Sequence, residues 1–95
     1  MTAYLLVDIK VTDPVKYEVY KRLGQESIAR HGGRYLVRGG KSDVLEGQWL
    51  PNRLVVVEFP TYEQARAFYD SNDYRAARAA REGAAQMNMV LVSGV

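Results

Sequence analysis

Apolar residues recur along this chain with two different periods, and the change from one to the other predicts its elements. Residues 3–11 are rich in aliphatic and β-branched side chains, as expected of a strand. Asp13 and Pro14 then supply the N-cap and first position of a helix that should continue to about residue 30. A His-Gly-Gly sequence at 31–33 stops this helix, and residues 34–38 form a second strand before a glycine-rich loop.

The second half of the chain repeats this order. Residues 53–59 form the third predicted strand, and the capping-box pattern Thr-x-x-Gln at 61–64 opens a second helix. The polar residues 71–73 interrupt that helix and can cap a further helical segment, predicted over about 74–82. A last strand is predicted over 87–93, so each half has the order β-α-β.

The order βαββαβ predicts an α+β, ferredoxin-like fold, in which the helices cover one face of a four-stranded antiparallel sheet. With 95 residues the chain has room for a single domain, 1–95. The strand residues that face away from the helices are still largely apolar, and they include Tyr4, Leu6, Asp8, Leu54, Val56 and Glu58. A patch of this kind reaches or exceeds the roughly 300 to 600 Å² of the largest patch on a typical monomer. We therefore expect a homodimer in which a second copy covers the open face.

Composition excludes several other classes of protein. The 13 basic and 11 acidic residues are interspersed, so nucleic acid is not an expected partner. The absence of cysteine excludes disulfides and thiolate sites and fits a reducing cytoplasm, while no apolar run is long enough for a membrane span. One histidine and no acidic cluster at ligand spacing predict no metal site, and the Gly-Gly pairs are too short to bind a cofactor phosphate.

Three segments carry a family resemblance: HGGRYLVRGG, LEGQWLPNRLVVVEFPTYEQA and FYDSNDYRAARAAR. Together they resemble the family called domain of unknown function 1330, over nearly the whole chain. The resemblance implies a dimeric α+β barrel, from a superfamily that also includes cofactor-free monooxygenases and muconolactone-type isomerases, and it implies no settled activity. The recurrent family features correspond here to Tyr20, His31-Gly32-Gly33, Gly47, Arg53, Glu58-Phe59, Tyr69, Tyr74 and Arg81.

Glu58 is an acid within an otherwise apolar strand, where an unpaired charge would be costly to bury. We predict that it faces the cavity of the dimer or its rim, as a general base or an anchor for a ligand. A structural ion pair with Arg38 or Arg53 is an equally good interpretation. Asp8 lies on the less apolar alternation of its own strand, as Arg38 does on the second, so a cluster of Glu58, Asp8 and Arg38 is expected.

Further candidates come from the histidine, the arginines and the tyrosines. His31 is the only histidine of the chain and a candidate proton shuttle, although its place in the last helical turn favours a capping role. Arg53 and Arg38 would hold an anionic group of a substrate. Most of the seven tyrosines are expected to serve packing, and Tyr69 is the candidate for the pocket. Three arginines spaced by three predict a solvated helix face: Arg75, Arg78 and Arg81.

Three functions remain open on these grounds. The main prediction is a binding protein that holds a small organic molecule in a cavity of the barrel. The second is a cofactor-free enzyme, monooxygenase-like or isomerase-like, acting by proton transfer on a small aromatic or polyketide-like substrate with Glu58 or His31 as base. The third is a purely structural dimer.

Overall fold

A computed structural model describes residues 1–95 as one sheet with three helices on one of its faces. The strands run antiparallel in the order β2-β3-β1-β4, which confirms the ferredoxin-like prediction. None of the helices combines the length and the apolar character that crossing a bilayer requires. The elements are β1 (Ala3–Val11), α1 (Pro14–Arg30), β2 (Arg34–Arg38), β3 (Arg53–Phe59), α2 (Tyr62–Asp70), α3 (Asn72–Ala80) and β4 (Ala85–Ser93).

Each helix begins at a short polar side chain that caps it. Asp13 caps α1, Thr61 caps α2 and Ser71 caps α3, and each accepts a hydrogen bond from the backbone N–H three residues further on. The distances are 3.1, 3.0 and 3.3 Å. Because Ser71 acts as the cap, α3 begins at Asn72, two residues before the predicted start.

The end of α1 is a left-handed turn, as the His-Gly-Gly sequence predicts. Gly32 has φ +81°, and the N–H of Gly33 donates to the carbonyl of Ile28 at 2.9 Å. A Cβ atom at Gly33 would lie 2.8 Å from the side chains of both Ile28 and Phe59. Only glycine therefore lets β2 start this close to the core.

The core lies between the helices and the sheet. Alternate residues of β1 and β3 face the helices and are buried, as the period-two pattern predicts. Each of these side chains larger than alanine contributes about 1.5 to 3 kcal/mol. Aromatic rings of α2 and α3 pack on them, with Phe59, Phe68 and Tyr74 in one stack. The buried sheet residues are Ala3, Leu5, Val7, Ile9, Val55, Val57 and Phe59.

No helix covers the other face of the sheet, which we call the open face. Tyr4 pairs with Glu58 and Leu6 with Val56, so the predicted set of alternate residues does share this face. Leu6 is 43% exposed and its partner on β4, Val90, is 59% exposed, so aliphatic side chains of adjacent strands form an exposed patch. The open face is thus apolar and unpartnered within one chain.

The loop 39–52 is held against one end of the open face by Asp8. The indole Nε1 of Trp49 donates to one carboxylate oxygen of Asp8 at 3.0 Å, and the N–H of Asn52 donates to the other at 2.9 Å. These two hydrogen bonds lower the pKa of Asp8 below its ordinary value, although the side chain is only 8% exposed. The loop presents further exposed apolar side chains beside the same face: Val44, Leu45, Trp49 and Leu50.

Candidate functional site

A β-bulge in β2 decides which of its side chains face the helices. The register with β3 shifts between Tyr35 and Val37, so that Tyr35 pairs with Val57 and Arg38 pairs with Val55. Both partners belong to the helix-covered face, and Tyr35 and Arg38 therefore lie on that face too. The Arg38 guanidinium sits 4.4 Å from the centre of the Tyr35 ring, a cation–π contact.

Next to Tyr35 and Arg38, a cavity lies between α1 and the sheet. The backbone of α1 approaches α3 and stays away from the strands, and the long side chains of Tyr17 and Tyr20 extend into the gap. The cavity volume is about 50 Å³. Since one water molecule needs roughly 10 to 15 Å³ on this measure, the space suits only a few small groups as it stands.

Gly24 keeps part of this cavity open. A glycine within a helix destabilises it by about 1 kcal/mol relative to alanine, and Gly24 has no positive φ that would require glycine. A Cβ atom there would lie 3.4 Å from Cζ and 3.7 Å from the hydroxyl oxygen of Tyr20, which are ordinary contact distances. An alanine would fit, and it would fill space beside the Tyr20 hydroxyl.

Basic side chains surround the exposed mouth of the cavity. Lys21, Arg38 and Arg53 line it, and the lining contains no acidic residue. Lys21 pairs with Glu18 at 3.4 Å, but neither arginine forms an ion pair with a carboxylate. Arg38 donates instead to the side-chain oxygen of Gln25 at 2.9 Å, which joins β2 to α1 across the mouth. The two arginines at the mouth therefore have no carboxylate partner and are available to an anion.

Arg53 is positioned by the turn that follows β2. Gly39 has φ +72°, and its N–H donates to the carbonyl of Leu54 at 2.8 Å. A Cβ atom at Gly39 would lie 2.8 Å from Cζ of Arg53, so the guanidinium rests directly on the bare backbone. The turn and the arginine are therefore built as one unit.

Two phenols and an arginine meet at the inner end of the cavity. The hydroxyl oxygens of Tyr20 and Tyr74 lie 2.7 Å apart, and Nη1 of Arg81 donates to the Tyr74 oxygen at 3.2 Å. Burial raises the pKa of Tyr20, so its hydroxyl stays protonated. Burial works to lower the pKa of Arg81, but the two phenols offset that effect and raise it.

The other cavity tyrosines are also protonated donors. Burial raises the pKa of Tyr17, against the opposing charge of Arg53, and it raises the pKa of Tyr35, against that of Arg38. All polar groups at the cavity other than the Gln25 amide are thus hydroxyls or cations. The lining holds no carboxylate, imidazole or thiol. Such a set recognises an oxyanion well and offers no strong base or nucleophile.

The cluster predicted around Glu58 does not form. Glu58 accepts a hydrogen bond from Nε of Arg34 at 2.7 Å on the open face, so the expected ion pair exists with a different arginine than Arg38 or Arg53. Asp8 shares the open face with Glu58, but the residue of β1 that pairs with Glu58 is Tyr4. Asp8 lies four residues beyond Tyr4, roughly 13 Å away at about 3.3 Å per residue. The bulge removes Arg38 to the opposite face, which is why the prediction is wrong.

His31 and Tyr69 also lie outside the cavity. His31 is the C-cap of α1, and its Nδ1 lies 2.8 Å from the carbonyl oxygen of Ser27, to which it donates. This confirms the capping interpretation, and the proton-shuttle role stays a prediction. Tyr69 lines a separate groove of about 240 Å³ beside β4, and its hydroxyl accepts a hydrogen bond from Arg78 at 2.9 Å.

The sequence assigns no functional role to several residues of the site. Tyr20 and Tyr74 are expected there only to pack, and Arg81 is expected on a solvated helix face. Arg75 is indeed exposed, but Arg78 and Arg81 are partly buried and each donates to a tyrosine. Two signals in the sequence point to them. The recurrent family features include Tyr20, Tyr74 and Arg81, and a spacing of seven places Tyr74 and Arg81 on one helix face.

No three His, Cys, Asp or Glu side chains are grouped closely enough to hold a metal ion.

A family model described as a domain of unknown function (DUF1330) matches residues 2–95 of this chain. The chain belongs to the DUF1330 family. No curated protein matches it.

Solved structures similar to this DUF1330 chain share its fold. A protein of unknown function from Rhodopseudomonas palustris, RPA0582, has a TM-score of 0.78 at 17% identity, with 99% of this chain and 82% of that chain covered. SnoaB, a cofactor-independent oxygenase from Streptomyces nogalater, has 0.67 at 12%, with 99% and 93% covered. A dimeric protein of unknown function and ferredoxin-like fold from Bacteroides fragilis has 0.66 at 15%, with 98% and 96% covered.

Proposed function

We propose that this DUF1330 protein binds a small aromatic carboxylate in the cavity between α1 and the sheet. The observation that carries the proposal is the mouth of the cavity, where Arg38 and Arg53 have no carboxylate partner and the lining has no acid. Guanidinium groups bind carboxylates with charge-assisted, often bidentate hydrogen bonds. The tyrosine walls behind them suit an aromatic ring.

Binding requires the mouth to open. A cavity of roughly 150 Å³ is what benzene occupies in a protein, about three times the volume present here. The hydrogen bond between Gln25 and Arg38 spans the mouth, and both side chains are exposed, so they can move outward without disturbing the core. We expect the ligand carboxylate to replace the Gln25 oxygen as the acceptor for Arg38.

Calorimetric titration with benzoate tests the proposal. Benzyl alcohol, similar in size but uncharged, should bind at least about tenfold more weakly, because hydrogen bonds to a charged group are worth about 1.5 to 3 kcal/mol. Arg53→Met should weaken benzoate binding by a similar factor and leave benzyl alcohol unaffected. Arg75→Met, at an exposed position on α3, is the matched control and should change neither. Equal binding of the two probes, or no binding, would contradict the proposal.

We further propose that a second copy of the chain covers the open face. Its support is the exposure of Leu6 and Val90 within the sheet, together with the dimeric state named for the Bacteroides fragilis neighbour. Sedimentation equilibrium at micromolar concentration should give twice the chain mass of 10.7 kDa. A particle of one chain mass would contradict this part of the proposal.

A cofactor-free enzyme is the second candidate, favoured by the description of the Streptomyces nogalater neighbour as a cofactor-independent oxygenase. Because the cavity lining has no carboxylate or imidazole, the substrate would have to ionise with the help of arginines and phenols. Oxygen consumption with 1,3,5-trihydroxybenzene, an easily ionised polyphenol, tests this. A rate of oxygen consumption no higher than that without protein would contradict the enzyme hypothesis and leave ligand binding as the proposed function.

A further inference from the structure

The hydrogen bonds at the inner end of the cavity have a direction. A guanidinium can only donate, so the Tyr74 oxygen accepts from Arg81. Tyr74 is 1% exposed, and the Tyr20 oxygen, 2.7 Å away, is the acceptor within reach of its own hydroxyl hydrogen. Either phenol can be the donor of this pair. Tyr74 is the more deeply buried, because Tyr20 is 9% exposed, and a buried donor without an acceptor is strongly unfavourable, so we assign the donation to Tyr74. The order of donation is thus Arg81 to Tyr74 to Tyr20.

This direction leaves the Tyr20 hydroxyl hydrogen without a protein acceptor. The polar side-chain groups next to the Tyr20 hydroxyl are the Tyr74 hydroxyl, from which its oxygen accepts, and the Arg81 guanidinium, which can only donate. Tyr20 lines the cavity, where the one amide oxygen, that of Gln25, accepts from Arg38 at the mouth. The Tyr20 hydroxyl is therefore a free donor at the cavity, and its acceptor must come from a bound ligand or water.

We propose that the ligand carries a second oxygen, a ketone carbonyl, that accepts a hydrogen bond from Tyr20, with Tyr74 and Arg81 as positioning residues. A carbonyl only accepts, which matches a site that supplies a donor and no acceptor, whereas a ligand hydroxyl would bring a hydrogen that finds no partner. The ligand class is then an aromatic carboxylate with a ketone distant from the carboxylate. This inference rests on the proposed function, because the carboxylate end is held by Arg38 and Arg53.

The charge of Arg81 strengthens this donor. Its guanidinium polarises the Tyr74 hydroxyl, which in turn polarises that of Tyr20, so the last hydrogen bond of the series is the one that gains. Arg81 also lies 5.0 Å from the centre of the Tyr20 ring, which fixes the ring beside the cation. Removing Tyr74 or Arg81 should therefore weaken the selection for a carbonyl without touching the ligand directly.

Two matched probes test the inference in the full chain by calorimetric titration: 4-acetylbenzoate, which has the ketone, and 4-isopropylbenzoate, which has nearly the same shape without an acceptor. The wild type should prefer the ketone by at least about tenfold. Tyr20→Phe should reduce this ratio to about one, and Tyr74→Phe and Arg81→Met should reduce it in part. Tyr69→Phe removes a similar arginine-bound phenol outside the cavity and should leave the ratio unchanged.

The ratio separates this inference from the proposed function and from effects on folding. A variant with a damaged cavity would bind both probes more weakly and keep the ratio, and Arg81→Met serves if Tyr20→Phe does not fold. Equal binding of both probes to the wild type, or a ratio that survives Tyr20→Phe, would overturn the inference and leave the proposed function standing. Binding of neither probe to the wild type would overturn both.

Discussion

The two faces of the sheet are built from the same alternating strands, but their charged side chains are paired on one face and unpaired on the other. On the open face both acids are satisfied, Asp8 by Trp49 and Asn52 and Glu58 by Arg34, and the middle of the face is aliphatic. On the helix-covered face the mouth of the cavity presents two arginines that form no ion pair with a carboxylate. A face with paired charges and exposed aliphatic side chains suits contact with another protein surface, whereas unpaired cations beside a cavity suit an anionic ligand.

The largest expected effect comes from placing a charge in the middle of the open face. If a second copy covers this face, Leu6→Lys buries an ammonium without a partner, which destabilises by about 3 to 5 kcal/mol. The dissociation constant of the dimer should rise at least about a hundredfold, measured by sedimentation equilibrium. Val15→Lys on the solvent side of α1 is the matched control and should leave the dimer intact. An unchanged dimer in Leu6→Lys would show that the subunits meet elsewhere.

The next largest effect is a loss of stability at low pH, where protonation of Asp8 weakens its hydrogen bonds to the loop 39–52. Because the pKa of Asp8 is lowered in the folded chain from its ordinary value of 3.8, its carboxylate stabilises the fold fully above that pH. This contribution is lost as the pH falls below 3.8 toward the folded pKa. Urea unfolding between about pH 3 and 6 should show a smaller decline in the free energy of unfolding for Asp8→Asn than for the wild type. Asp73, whose pKa is lowered too, acts equally in both proteins.

A parallel decline in the two proteins would mean that Asp8 does not hold the loop in solution. Trp49 fluorescence reports the same event locally, because its indole donates to Asp8. The emission should shift toward that of free tryptophan over the same pH range as the loss of stability. A fluorescence transition at a different pH would assign the acid sensitivity to another group.

Gly24→Ala should separate folding from binding on the helix-covered face. The alanine favours the helix by up to about 1 kcal/mol and meets Tyr20 at an ordinary contact distance, so the free energy of unfolding should rise. The methyl group occupies space next to the Tyr20 hydroxyl, and benzoate affinity should fall. A variant that gains stability and keeps full affinity would place the ligand elsewhere.

The smallest effect is expected from Glu58→Gln. Its partner Arg34 lies on the edge strand β2, with 72% of its side chain accessible in the single chain, so the free energy of unfolding should change by less than about 1 kcal/mol. Benzoate binding should not change, because Glu58 lies on the opposite face from the cavity. A tenfold loss of affinity would instead support the role of Glu58 in a site, as the sequence predicts.

Much of the fold is predictable because its signals are local. The caps Asp13, Thr61 and Ser71 and the turn at Gly32 act within a few residues of themselves, and the two alternating patterns in β1 and β3 tell the faces apart. The order and antiparallel pairing of the strands then follow from the βαββαβ order of elements.

The site is less predictable because it depends on long-range geometry. The bulge between Tyr35 and Val37 moves the Arg38 side chain to the helix-covered face, and no residue pattern in this short strand predicts the bulge. Tyr20 and Tyr74 meet from positions 54 residues apart, which no periodicity reveals. The partner of Glu58 likewise depends on the register of β2 against β3, and a register differing by one or two residues would select another side chain.

Methyl-resolved NMR during a benzoate titration tests the difference between the two faces most directly. Val55 and Val57 point into the helix-covered face and line the cavity. Val56 of β3 and Val90 of β4 lie on the open face, on either side of Leu6 of β1. We expect the methyl signals of Val55 and Val57 to shift with benzoate and those of Val56 and Val90 to stay in place. Shifts confined to Val56 and Val90 would contradict the account, because the ligand would then occupy the open face.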